Sequence, residues 1–392
     1  MGRPTILAAF SLLMSYQSTF AQYSFFNPDG SFAIEVSLPN SALPRLPIYR
    51  NAISSLMIKG DIVVGGTASS IDQSPFLFTA SLASQEVLQI YDLQEVVSNQ
   101  KSMISGFATG DNLSYIGTIG LDSAGHLLQL NIHQDGTLII KDLGIPVPGE
   151  GILALTLSKN NRSLYGLTYP SGIFFSYDIP KNIMLTFDNL VPDEKTKRIL
   201  HDYALDPIDY LGKSLIEDNA GKIWGSAPIN ALFSYEPSSQ TFETFPDQLP
   251  EVWGRRTLGA VDSWAKSEQG LIYGGNGGDG QLFLLSTENG QTKNLGKPIM
   301  MNRLRALTFA ADGRLYGLAG GPPGYTHLFS FDNDLGFQDL GNPEFIMRAP
   351  GIEQGIRWRG YNLTSMFASE DGKYIVMGED ESLSQLMVFP VH

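Results

Sequence analysis

Leu164-Tyr165-Gly166, a short polar loop, and then Ile173-Phe174-Phe175-Ser176-Tyr177-Asp178 form the stretch whose reading decides the fold. The same phrase returns as Ile223-Trp224-Gly225 followed by Ala231-Leu232-Phe233-Ser234-Tyr235-Glu236. It returns again as Ile272-Tyr273-Gly274 before Gln281-Leu282-Phe283, and as Leu315-Tyr316-Gly317 before His327-Leu328-Phe329-Ser330-Phe331-Asp332. β-branched and aromatic doublets of this kind favour strands, and the glycines and polar stretches between them favour turns. Weaker copies bring the total to seven.

A repeat of about fifty residues made only of strands and turns predicts a β-propeller, here all-β with seven blades of four strands. Strand a is apolar and small, as in Ala154-Leu155-Thr156-Leu157. An a–b turn follows, often acidic and ending in Gly, as in Ala311-Asp312-Gly313 and Glu370-Asp371-Gly372. Strand b is the Tyr-Gly phrase, strand c the Leu-Phe phrase, and strand d is short. On this template the blades span approximately 54–93, 103–144, 152–190, 213–249, 259–297, 305–341 and 363–390. The last has no residues left for strand d. Phe32 to Leu38 alternates as a strand and has no blade of its own, so strand 32–38 is expected to complete blade 7 and close the ring, removing a sheet edge that would otherwise invite aggregation. Two connections, Val191–Gly212 and Asn342–Asn362, are longer than a blade needs. Within the first, Asp193–Tyr203 can hold a short helix.

The N-terminus reads as a secretory signal. Arg3 is a basic start, Ile6–Met14 an apolar stretch too short to span a bilayer, and Ser18-Thr19-Phe20-Ala21 a small-residue stop. Residues 1–21 are therefore expected to be removed, leaving 22–392 as a single propeller domain, secreted or periplasmic, with no transmembrane segment. The chain has no Cys, so no disulfide braces it.

The formal net charge is −14, which argues against nucleic acid and anionic membrane surfaces as partners. Its distribution is uneven. Arg45, Arg50, Arg198, Arg255, Arg256, Arg303, Arg305, Arg348, Arg357 and Arg359 all fall in connections from strand d of one blade to strand a of the next. Those connections lie on one face of a propeller, around the channel mouth, and they also carry Tyr203, Tyr210, Trp253, Trp358 and Tyr361. Guanidinium forks suit carboxylates and sulfates, and aromatic faces suit sugar rings. An alternative use of the same arginines is to pair with Asp202, Glu251, Glu344 and Glu353 in the same loops and lock blades together.

No nucleophile elbow, P-loop or metal-ligand spacing occurs, and Gly275–Gly280, a formal G-x-G-x-x-G, lies between strands b and c and reads as a turn. His126 and His327 open strand c at equivalent repeat positions, while His201 sits beside Asp202 and Tyr203 in the long loop.

The strand pattern resembles secreted bacterial seven-bladed propellers of the quinoprotein-like and streptogramin-lyase-like kinds. The exported, Arg- and Tyr-rich face is also similar to that of propeller polysaccharide lyases. That second resemblance implies β-elimination on a uronic-acid polymer, with Arg offsetting the substrate carboxylate and His or Tyr moving protons. It makes His201, Tyr203, Tyr210 and His327 the expected acid and base, and Arg255, Arg256, Arg303, Arg305, Arg357, Arg359, Trp253 and Trp358 the expected substrate-binding residues. The scarcity of His argues against the metal-dependent oligogalacturonate type. No cofactor is expected, although a divalent metal stays open. The expected partner is an anionic polysaccharide or oligosaccharide bound by a monomer. Non-enzymatic glycan or protein binding, and a purely structural propeller, are the other readings.

Overall fold

A computed structural model describes residues 25–36, 52–69, 74–190, 194–202, 206–250, 259–347, 356–381 and 385–391. The expected signal peptide, Tyr203, Trp253, Arg255 and Arg256 lie outside the described residues.

Seven antiparallel four-stranded blades are arranged in a ring, and the sheets of blades 1 and 6 each carry two further strands. Their innermost strands are Ala52–Lys59, Phe107–Thr109, Gly151–Leu157, Ile216–Glu217, Val261–Lys266, Leu304–Phe309 and Leu363–Ala368. The spacing of the sequence repeat has a steric cause. The strand-b glycine stands directly opposite a strand-c phenylalanine in five blades: Gly65↔Phe78, Gly166↔Phe175, Gly225↔Phe233, Gly274↔Phe283 and Gly317↔Phe329. The ring lies over the glycine so closely that a Cβ at Gly317 would fall 2.3 Å from Phe329 Cζ, and one at Gly65 2.1 Å from Phe78 Cζ. All five phenylalanines are fully buried. The Gly and the Leu-Phe thus recur together because neither packs without the other. Blade 7 uses Val376↔Val388 in its core instead.

The acidic a–b turns are self-bonded. Asp218 accepts from the Ala220 and Lys222 amides and from Trp224 Nε1 at 2.8 Å. Asp312 accepts from the Arg314 amide and the Tyr316 hydroxyl. In both blades the turn carboxylate therefore fixes the aromatic residue that precedes the strand-b glycine. Hydroxyls staple blade to blade: Ser226 accepts from the Val261 amide, Ser263 from Leu307 and Thr326 from Leu363.

Ring closure is as expected. Phe32–Glu35 pairs antiparallel with Gln385–Pro390, in the register Phe32↔Val388 to Glu35↔Gln385. Ile34 and Val36 are buried among Ile53, Val63, Phe78, Leu386 and Val388, joining blade 7 to blade 1. Residues 37 and 38 of the expected strand lie outside the described residues.

The expected helix in the blade 3–4 connection is present as Glu194–Asp202, and a one-turn helix, Pro207–Tyr210, follows it. The 342–362 connection differs from expectation. Strand d of blade 6 runs on as Gly336–Met347, and Ile356–Arg359 folds back on it as a ribbon in the register Glu344↔Arg359 to Met347↔Ile356. Phe25–Phe26 lies parallel to Asn342–Pro343. Alternation keeps Phe345 and Trp358 on the apolar side, in contact with the blade 6–7 core.

Candidate functional site

The inner strands of all seven blades line a central cavity of about 570 Å³. Most of its wall is aliphatic or hydroxylic, with Ser54, Ser105, Thr156, Ser263 and Thr364 among the latter. Its charged residues are Lys213, Asp262, Arg303, Arg305 and Asp380, all from blades 4 to 7. Ile208, from the short helix of the blade 3–4 connection, also lines it, and Leu153, Leu200, Tyr210 and Leu211 anchor that helix in a small apolar cluster.

Two of these five charges are already matched. Lys213 Nζ lies 3.5 Å from Asp262 Oδ1. Arg303 has a looser partner, its Nη2 4.0 Å from Asp209 Oδ1, with its side chain half exposed. It also holds a left-handed backbone (φ 69°), a conformation that costs a non-glycine residue about 1 kcal/mol or more and collects at functional sites. Arg305 differs from both. Its Nε donates to the Gly320 carbonyl at 3.0 Å, and its Nη2 lies over Gly321, where an added Cβ would come within 2.7 Å. No carboxylate among the described residues lies within 4.0 Å of it. Burial, then the charge of Arg303, pushes the Arg305 guanidinium below its usual range, against the pull of Asp262 and Asp380. Even a partly buried guanidinium is better satisfied when an anion or further acceptors meet it. The arrangement can therefore take a carboxylate, sulfate or phosphate at the channel wall.

A second, shallower cavity of about 470 Å³ sits on the ribbon between blades 6 and 7. Tyr325 and Tyr361 form two of its walls, with ring centroids 5.6 Å apart and planes at 83°. Trp358 forms a third, its Nε1 donating to Glu379 Oε2 at 2.7 Å while the Tyr361 amide donates to Oε1. Glu379 is buried, and this desolvation pushes its carboxyl up to about 7, outweighing the two donors. Arg357 and Arg359 also line the ledge, and Glu344 binds both: Arg357 Nη1 to Oε1 and Arg359 Nε to Oε2, each at 3.2 Å. For these two arginines the pairing with Glu344 considered from the sequence is present, within a single ribbon.

Of the expected proton-transfer residues, the three that are described do not converge. His201 is on the outer helix with its side chain 90% exposed, its Nδ1 3.7 Å from Asp202. Tyr210 is buried beneath the connection, and burial raises its pKa. His327 Nδ1 contacts Asp339 at 3.0 Å across strands c and d, far out along the blade, and His126 repeats the contact with Asp142 in blade 2. None of the three lines either cavity. Among the described residues no cluster of His, Cys, Asp or Glu is placed to hold a metal, and no helix is long and apolar enough to cross a membrane. Glu379, Tyr325 and Asp380 were missed from the sequence. Each becomes recognisable only once strand register places it.

No protein-family model matches the sequence, and no curated protein matches it. By structure the chain is similar to virginiamycin B lyase from Staphylococcus aureus, with a TM-score of 0.60 and 10% identity, covering 92% of this chain and 99% of that one. It is also similar to a streptogramin B lyase (TM-score 0.61, 11% identity, 92% of this chain and 97% of that one). A third likeness is to the extracellular domain of a protein described as a one-component system from B. thetaiotaomicron (TM-score 0.55, 17% identity, 91% of this chain and 40% of that one). At these identities the likeness establishes the seven-bladed propeller and nothing finer.

Proposed function

We propose that this chain is an exported, monomeric binding propeller that holds acid groups of a uronic-acid or sulfated polysaccharide at its channel mouth. The observation that carries the reading is Arg305, a partly buried guanidinium on a cavity wall with no carboxylate within 4.0 Å among the described residues. The strained Arg303 beside it and the hydroxyl-rich wall support a ligand that brings both an acid and hydroxyl groups. Export rests on the signal-like Met1–Ala21, and an extracellular domain among the structural neighbours is compatible with it.

Binding is favoured over cleavage. The neighbours include lyases of virginiamycin B and streptogramin B, but β-elimination needs a base beside the anion-holding Arg, and of the expected bases the three described ones, His201, Tyr210 and His327, stand elsewhere, while Tyr203 lies outside the described residues. The test is to titrate the protein with a panel of uronate and sulfated oligosaccharides at low and physiological salt. Binding that weakens as salt screens the charges is expected. No binding to any acidic glycan at low salt would overturn the proposal, and ultraviolet absorption from an unsaturated uronate product would turn it into a lyase.

A further inference from the structure

The channel mouth and the ledge open on the two sides of one strand end. Asp380 lines the channel, while Glu379 and Glu381, on either side of it in the chain, line the ledge. Tyr361 lines the ledge and Thr364 the channel, so three residues, at most about 10 Å of extended chain, lead from one to the other. One or two linked sugar rings cover such a span.

The two cavities differ in charge in a way that assigns them different parts of one ligand. At the channel wall Arg305 has no carboxylate within 4.0 Å among the described residues, Asp262 and Asp380 acting on it only from farther off. On the ledge, Arg357 and Arg359 already share Glu344, and Glu379 and Glu381 stand beside them. The ledge has little net attraction for an acid. It does have rings already held in place. Trp358 is tied through Nε1 to Glu379, and Tyr325 and Tyr361 meet nearly at right angles. Rings fixed before binding lose little entropy when they receive a flat apolar face.

We infer that the ligand is a chain of at least two sugar units, whose acid group enters the channel at Arg305 while the apolar face of the adjoining unit stacks on the Trp358–Tyr361 ledge. This rests on the binding reading above. It adds direction and minimum length: the ledge is a stacking subsite and the channel the acid subsite.

The probes are galacturonic and glucuronic acid, each as monosaccharide, disaccharide and trisaccharide, titrated calorimetrically into the full chain. The readout is the ratio of disaccharide to monosaccharide affinity. For at least one series it should be about 10-fold, the gain from one stacked ring. Trp358→Ala should reduce that ratio to below about 2-fold. Tyr325→Ala, which leaves the Trp358–Glu379 bond intact, should reduce it as well, so a folding defect in the first variant does not decide the matter. Arg305→Gln should weaken every length together. A ratio near one in the unmodified protein, or a ratio that survives both aromatic changes, refutes the ledge subsite while leaving acid binding in the channel standing. Failure of every acid to bind the unmodified protein refutes both.

Discussion

Replacing Ile34 by Ala isolates the contribution of the closing strand without removing the strand itself. Ile34 is 2% exposed and sits where blade 7 meets blade 1, against Ile53, Val63, Leu386 and Val388. Truncating a side chain so buried removes its transfer free energy and leaves a cavity, together about 3 kcal/mol within a range of 2–5. The matched control is Ile183→Ala, on the outer strand of blade 3 and 48% exposed, where about 0.5 kcal/mol is expected. The choice of assay follows from chain size. Unfolding entropy near 2.1 cal/mol/K per residue makes 3 kcal/mol worth only about 4 °C in Tm for a chain this long. Equilibrium urea unfolding followed by tryptophan fluorescence is the better reporter, because Trp224 and Trp264 are buried in blades 4 and 5 and register opening of the ring. Size-exclusion chromatography of the same variant should also reveal association, since loosening Phe32–Glu35 bares the edge of Gln385–Pro390. If Ile34→Ala and Ile183→Ala have the same urea midpoint, the N-terminal strand does not carry the closure.

Glu379 makes stability depend on pH. Its folded pKa is raised from 4.5 to about 7, so its contribution is fully present below about pH 4.5 and is lost as pH rises through 7. The loss is at most about 3 kcal/mol, and Glu379→Gln should flatten the change in urea midpoint between pH 5 and pH 8. Glu344→Ala, which removes two ion pairs whose arginine side chains are 59% and 38% exposed, should cost about 1–2 kcal/mol in the same assay, and Arg357→Ala, which removes only the more exposed pair, under about 1. Gly317→Ala should cost about 1–3 kcal/mol by driving a methyl into Phe329, and Phe329→Leu in the same chain should recover part of it, as a double-mutant cycle would measure.

Blades 3 to 6 were legible in the sequence because Gly and Leu-Phe are sterically coupled, and a coupled pair repeats more regularly than either residue alone. The closing strand was legible by subtraction, as an alternating run without a blade facing a blade without a fourth strand. The ribbon of Glu344–Met347 with Ile356–Arg359 was not, although Ile356-Arg357-Trp358-Arg359 alternates, because the connection around it read as a loop. Phe25–Phe26 is too short to signal anything. For the site, grouping Arg by blade register placed Arg303 and Arg305 correctly at the channel. Their difference from Arg357 and Arg359 was hidden, since it depends on which carboxylates meet them. Glu344 is reached through a ribbon, and Asp209 reaches Arg303 from another blade connection. The His and Tyr residues were picked for their chemistry alone. His327 belongs to strand c, the third from the axis, so its side chain meets Asp339 on strand d and does not line the channel.

The central claim is that Arg305 holds the acid group of the ligand. The direct measurement is a four-way comparison of Kd: an acidic oligosaccharide and its carboxyl-reduced neutral counterpart, each against the unmodified protein and against Arg305→Gln, with folding checked by the urea midpoint. A charge-assisted contact of about 1.5–3 kcal/mol predicts that the change weakens the acidic ligand about 10- to 150-fold and the neutral one by less than about 3-fold. Equal losses for the two ligands, or no loss for the acidic one, would contradict it.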